Sequence, residues 1–398
     1  MTVGSATVVV AALTWLVLIL AARGLGPESY AQFTVFWGLL FAVFGATMGV
    51  FNETVRAVAA GAESGSAGSR PVRVSPVIGL AIAGLLGGSA FVWAPVVFAD
   101  DVAVRAAIVV VGAWLFAILV AVNGVLAGSG NWRLYSAMIG AEAGLRVVLV
   151  TSVILLGASV TGLAAAVAGA ALVWVPAAIV SRSVRGTHLV RGDVGPSRFA
   201  RGSLLAMVAT SSTAVLVTGF PLLLEITSAA PLGAEGGVLI AAVMITRAPL
   251  LIPLGALQGF AIRYFVGFRD RLAVALVRPV LLLGTAVLAV CGVVLVAGPW
   301  LMVATFGPEF AVDATTLVLL VLSGGTIAML TLSGAASLAA GRHVLYAVGW
   351  VVATAATAAL LLLPGSLTDR AILALTAGPL LGALVHVWGL AAARDRGR

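Results

Sequence analysis

The stretch SRSVRGTHLVRGDVGPSRFARG, Ser181 to Gly202, is the longest polar run in the chain and separates two equal sets of apolar segments. It holds Arg182, Arg185, Arg191, Arg198 and Arg201 against a single acid, Asp193, with Pro196 near its end. Upstream lie apolar runs near 3–22, 31–52, 75–98, 104–126, 134–157 and 161–180. Downstream lie six more, near 203–228, 237–260, 276–298, 313–337, 343–364 and 370–392. A helix rises about 1.5 Å per residue, so a hydrocarbon core of roughly 30 Å takes roughly 20 apolar residues, which each run supplies. The chain therefore reads as an all-α polytopic membrane protein of about 12 transmembrane helices. Residues 1–181 form an N-terminal six-helix bundle, 182–202 a cytoplasmic basic linker, and 203–398 a C-terminal six-helix bundle.

Composition agrees. Hydrophobic residues make up 62% of the chain and charged residues 9%, with a mean hydropathy of +1.19, which excludes a soluble globule. The runs are continuously apolar, not alternating, which excludes a transmembrane barrel. Lysine is absent, so every permanently cationic side chain is Arg. With the N-terminus in the cytoplasm, the cytoplasmic connections and tail hold 17 arginines and the opposite side holds Arg23, Arg105 and Arg370. The positive-inside rule then places both termini in the cytoplasm. The first segment lacks a basic leader and a small-residue cleavage site, and reads as a retained helix.

The same inventory narrows function. Without Lys there is no Walker-type phosphate loop and no Schiff-base chemistry. Cys291 is the sole cysteine, and His188, His343 and His386 lack metal-ligand spacing, so no disulfide and no metal site is expected. The arginines are spread over short loops, which does not suit nucleic acid. A secondary transporter, a channel or a membrane enzyme remains. An internal echo supports two copies of one unit: Gly130-Asn131-Trp132-Arg133-Leu134-Tyr135 opens the fifth span and Gly341-Arg342-His343-Val344-Leu345-Tyr346 the eleventh. Trp93 and Pro95 end the third span as Pro299 and Trp300 end the ninth. Copies of six spans enter the membrane in the same sense, so they are related by a pseudo-twofold along the membrane normal. Trp93, Trp132 and Trp300 fit interfacial anchors.

Four stretches resemble one family. Ala21-Ala22-Arg23-Gly24-Leu25-Gly26-Pro27-Glu28-Ser29-Tyr30-Ala31-Gln32-Phe33 is similar to the first junction of polysaccharide flippases, whose pattern is A-R-x-L-G-P-x-x-Y-x-x-F. Asn52-Glu53-Thr54-Val55-Arg56 resembles that family's polar exit from span two. Gly124-Val125-Leu126-Ala127-Gly128-Ser129-Gly130 resembles its turn between spans four and five, and Phe306-Gly307-Pro308-Glu309-Phe310 its outer loop after span nine. The resemblance is to the lipid-linked oligosaccharide (O-antigen-type) flippases of the multidrug/oligosaccharidyl-lipid/polysaccharide exporter superfamily. It implies two bundles around a V-shaped central cavity, in the cytoplasmic (inner) membrane of a bacterium. It also implies movement of a prenyl-(pyro)phosphate-linked saccharide from inner to outer leaflet by alternating access, for cell-surface polysaccharide assembly. No cofactor is expected beyond coupling to protons, sodium or the membrane potential. Expected partners are the lipid-linked saccharide, membrane lipids, and a polysaccharide polymerase or glycosyltransferases, around a monomer.

Charges at membrane depth supply the candidate site. Arg247 lies about 16 Å into the eighth span by helical rise, followed by Pro249 and Pro253. A lone Arg there costs at least about 2.5–3.5 kcal/mol and should face a cavity or a partner. It is either a phosphate clamp, since guanidinium binds phosphate bidentately, or half of a structural ion pair. Glu142 and Arg146 are spaced i, i+4 in the fifth span, either neutralising each other or turning Arg146 to the cavity with Glu142 setting its rotamer or carrying a proton. Ser211 and Ser212, within Thr210-Ser211-Ser212-Thr213 of span seven, either bind sugar or bond their own backbone. Asn52, Glu53 and Arg56 form either a cytoplasmic entrance or a solvated helix end. Arg23 and Glu225, at matching outer ends of spans one and seven, are gate candidates. A non-enzymatic flippase is the leading reading. A multidrug exporter of the same superfamily is the nearest alternative, and a membrane glycosyltransferase using lipid-phosphate sugars, with Asp100 and Asp101 as its acids, is a third.

Overall fold

The computed structural model describes residues 3–65, 68–268 and 272–395, which are helical with short connections and contain no strand among them. Eleven of these helices are long and apolar enough to cross a membrane, so the chain is an all-α multi-pass membrane protein. The longest, α1 (Val3–Ser64), contains both of the first two expected spans and is broken at Gly26, whose φ of 71° and ψ of 170° are outside helical geometry. A side chain at that φ would meet its own backbone, which is why glycine stands there. Pro27 follows as the first residue of the second segment, where its missing N–H costs nothing.

The remaining helices follow the apolar runs with local differences. Helices α2 (Pro71–Gly88) and α3 (Ala90–Val97) divide the expected third span at Ser89. Helices α4 (Val102–Gly128) and α5 (Trp132–Leu155) are single. The sixth span is α6 (Val160–Gly169), a tighter turn over Ala170–Val173, and α7 (Trp174–Val180). The basic connection is itself structured: it contains α8 (Arg182–Gly186), and α9 (Pro196–Val217) begins inside it. The seventh span continues as α10 (Phe220–Ile226), followed by α11 (Ala234–Val266), the short α12 (Leu272–Ala275) and α13 (Val277–Phe306). The last three are α14 (Ala314–Ala339), α15 (His343–Leu361) and α16 (Leu367–Asp395). Helices α1 and α11 outrun their apolar stretches because hydropathy marks only the part that lies in lipid.

The chain divides into two compact units, one of residues 1–25 and 32–222, the other of 26–31 and 223–398. The repeated sequence appears in both as one backbone motif. Asn131 N–H bonds Leu126 O and Gly130 N–H bonds Ala127 O; Arg342 N–H bonds Ser337 O and Gly341 N–H bonds Leu338 O. Gly130 and Gly341 have φ of 73° and 72°. These are left-handed glycine caps closing one helix and releasing the next.

Close packing inside each unit rests on small residues, as expected where lipid is as apolar as leucine. In the first unit, a Cβ at Gly124 would lie 2.7 Å from Thr54 Cβ, and one at Gly128 would lie 2.9 Å from Val55 O. Two of the four resemblance stretches therefore meet there. In the second unit, the other two meet: the buried Tyr30 ring stands edge-on to Phe310 at 5.6 Å, and Phe310 lies 5.7 Å from Phe306. Helices α15 and α16 approach through Gly349 and Ala353 against Gly378 and Gly382; a Cβ at Gly382 would lie 2.8 Å from Ala353 Cβ.

Candidate functional site

In the first unit, α5 carries Arg146 about 21 Å from Trp132 by helical rise. Glu142, one turn below, accepts a hydrogen bond from Arg146 Nη2, and the side chains of both are buried. The guanidinium also lies over two rings of α1, 5.0 Å from the Phe41 centroid and 5.7 Å from Trp37. Trp37 and Phe41 stack on each other at 4.1 Å, and Phe44 stacks on Phe116 of α4 at 3.8 Å. Such ring contacts stabilise a desolvated cation by roughly 0.5–2 kcal/mol each. Together with the ion pair, they offset the cost of holding Arg at that depth.

Phe41 joins this pair to a cavity. Phe41, Phe44 and Phe116 form one wall of a space of about 450 Å³, and Thr210, Thr213 and Thr218 of the seventh span line another. The hydroxyls already donate to backbone: Thr210 Oγ1 to Ala46 O at 2.9 Å, Thr213 Oγ1 to Thr210 O at 2.9 Å and Thr218 Oγ1 to Ala214 O at 2.7 Å. Each oxygen keeps lone pairs, so this wall accepts hydrogen bonds. Ser211 donates to Met207 O at 2.7 Å; the side chain of Ser212 lies outside the described residues. The aromatic wall was readable in the sequence, because Phe33, Trp37, Phe41 and Phe44 recur at helical spacing on one face.

At the basic end of the same unit, Arg56 is committed to two carboxylates. It donates to Glu53 at 2.6 and 2.9 Å and to Asp193 at 2.9 and 3.2 Å. Asn52 beside it is exposed. Asp193 N–H bonds Ala57 O, while Gly68 N–H bonds Gly192 O and Ser69 N–H bonds Val194 O. The basic connection is thus fastened along α1. The Arg56 hydrogen bonds hold the Asp193 carboxyl below its ordinary range.

Another buried arginine, one of the three on the side opposite the positive-inside majority, lies at the other end of this unit. Arg105 of α4 donates to Thr161 Oγ1 at 3.1 Å and Gln32 Oε1 at 3.2 Å; Thr161 donates to Asp101 and Gln32 to Asp100. Asp100 and Asp101 therefore brace a buried cation.

In the second unit, Arg247 sits about 20 Å along α11 by helical rise and is 6% exposed. Its stem packs on Gly324 of α14, where a Cβ would lie 3.4 Å from Arg247 Cγ. Ile245, Thr246 and Pro249 line an apolar groove of about 370 Å³ with α13 residues including Val290 and Val294. At 100° per residue they share a face of α11 turned away from Arg247. Glu225 accepts from Leu232 N–H at 3.0 Å, within its own unit, while Arg23 is exposed in the other. No cluster of metal-ligating side chains occurs among the described residues.

No protein-family model matches the chain. It is 39% identical to the uncharacterized protein Rv3630 of Mycobacterium tuberculosis over 396 residues, covering 98% of this chain and 91% of that one. It is 37% identical to the uncharacterized protein Rv1510 of the same organism over 398 residues, 99% and 91% of the two chains. Among solved structures it superposes on an inward-facing multidrug resistance MATE family transporter of the MOP superfamily with a TM-score of 0.71. Identity there is 16%, and the match covers 100% of this chain and 96% of that one. A MOP superfamily transporter from Pyrococcus furiosus, described as having a binding pocket of reverse polarity that suggests a different function, aligns with a TM-score of 0.62. Identity is again 16%, over 99% and 96% of the chains. The fold of this chain matches that of these solved structures.

Proposed function

The chain belongs to the family of the mycobacterial proteins Rv3630 and Rv1510, and from that premise and its fold we propose that it is a secondary transporter flipping a prenyl-(pyro)phosphate-linked saccharide across the membrane. One observation carries the choice of substrate charge. Among the described residues, the buried charged side chains are Arg105, Arg146, Arg247, Glu53 and Glu142, and both glutamates are ion-paired with arginine. Such an interior holds a surplus of positive charge and leaves no buried carboxylate for an organic cation. A phosphate matches it, since guanidinium binds phosphate in a planar fork.

The cavity beside Phe41 suits the saccharide. Its aromatic wall offers apolar surface to sugar C–H groups, and its threonine oxygens accept from sugar hydroxyls. Arg247, buried in the second unit, is assigned to a phosphate on its charge. The solved Pyrococcus transporter with a pocket of reverse polarity lends support, because it sets a precedent for this fold with other than the usual pocket charge. The multidrug reading has in its favour the multidrug transporters that share this fold.

The test is transbilayer movement of a fluorescent prenyl-phosphate hexose in vesicles, for native protein, Arg247→Lys and Arg247→Gln, each checked as monodisperse. Losing a charge-assisted fork costs about 1.5–3 kcal/mol, or roughly ten- to hundred-fold in rate. Arg247→Gln should fall by that amount and Arg247→Lys by less. Equal rates for all three would remove the phosphate assignment.

A further inference from the structure

We propose that the end of the second unit formed by the start of α15 and the end of α16 is a binding site for an anionic phospholipid of the cytoplasmic leaflet. A cavity of about 720 Å³ opens there, lined by Arg342, His343, Val344 and Val348 of α15 and by Val385 and Trp388 of α16, among others. That volume lies within the range of small-molecule sites, roughly 300–1,000 Å³. Its polar groups lie at one end and its apolar groups run down from them. Val344 is 78% exposed and Trp388 75% exposed, an exposure that in a membrane helix means contact with lipid. From Val385 to Ala392 the apolar wall extends about 10 Å by helical rise, enough for the upper part of an acyl chain.

The headgroup end is cationic and held in place. Arg342 Nη1 donates to Gly389 O across the two helices, which fixes the guanidinium at the mouth while leaving its other N–H groups for a ligand. Arg342 makes no side-chain cap to its own helix. His343 adds a ring N–H in either protonation state. Arg263 and Arg278 lie at the same end of this unit by helix order, and the positive-inside rule puts that end in the cytoplasm. Trp388 stands where an indole favours the headgroup boundary. A phosphate with attached acyl chains is the ligand whose charge and shape match both ends.

This site is independent of the transport reading, and its test does not measure transport. The intact protein in detergent is titrated with phosphatidylglycerol, with phosphatidylcholine of the same chains, and with inorganic phosphate, and thermal unfolding is followed. Only phosphatidylglycerol should raise the midpoint. Replacing one headgroup cation weakens lipid attraction by about five-fold, so Arg342→Gln should shift the titration by that factor. Val348→Phe, which fills the groove and leaves the charges in place, should abolish the shift. Equal protection by the two lipids, protection by phosphate alone, or a titration untouched by both substitutions would overturn the proposal.

Discussion

An arginine at mid-depth in an apolar helix costs at least about 2.5–3.5 kcal/mol, and α5 meets that cost with three contacts. Glu142 ion-pairs with Arg146 from one turn below, and Phe41 and Trp37 present ring faces. The i, i+4 spacing exposes the pair in the sequence. Its aromatic partners are more than a hundred positions away and become neighbours only when α1 packs beside α5. A buried pair broken on one side leaves an uncompensated charge, costing about 3–5 kcal/mol. Arg146→Met and Glu142→Leu should each destabilise the protein by that amount, and the double variant by less than either single one. Denaturation of the three purified variants reads this directly, and additive losses would show that the pair is not coupled.

At the scale of elements, the basic connection is a fastened strap. Its fastening depends on Asp193, whose carboxyl is held below its ordinary range by Arg56. A depressed carboxyl contributes stability fully above its unfolded value, near 3.9, and loses it as pH falls through the lower folded value. The strap should therefore open only in strong acid. Asp193→Asn should open it at neutral pH, with tryptic cleavage at Arg191 rising about two- to five-fold, the range of an exposed ion pair. Unchanged cleavage would place the fastening in the backbone bonds to Ala57 and Ser69 instead. Hydropathy disclosed the spans, and Gly26-Pro27 marked the first reversal. It did not disclose the break at Ser89 or the helical extension to Ser64, because neither changes how apolar the run is. Nor did it disclose that α9 starts at Pro196, since the charged first turn reads as connection.

For the whole molecule, the repeated glycine caps at Gly130 and Gly341 show one helical junction used twice, 211 positions apart. The four short stretches that resemble flippase junctions meet in two pairs, through Gly124 and Gly128 against Thr54 and Val55 in the first unit and through Tyr30 against Phe310 in the second. The sequence carried those stretches individually, while their pairing is tertiary. The candidate site was legible where charge violates the apolar background, at Glu142, Arg146 and Arg247. It was partly legible at the cavity, through the hydroxyl run Thr210-Ser211-Ser212-Thr213 and the helical spacing of Phe41 and Phe44, whereas the place of Phe116 beside them is tertiary. Among the described residues the buried charges leave a positive surplus, and substrate charge tests it most directly. Native protein in sealed vesicles is offered a fluorescent prenyl-phosphate hexose and, separately, a cationic dye. The account predicts transbilayer movement of the anionic lipid above empty vesicles and no accumulation of the dye. Dye uptake without lipid movement would contradict it.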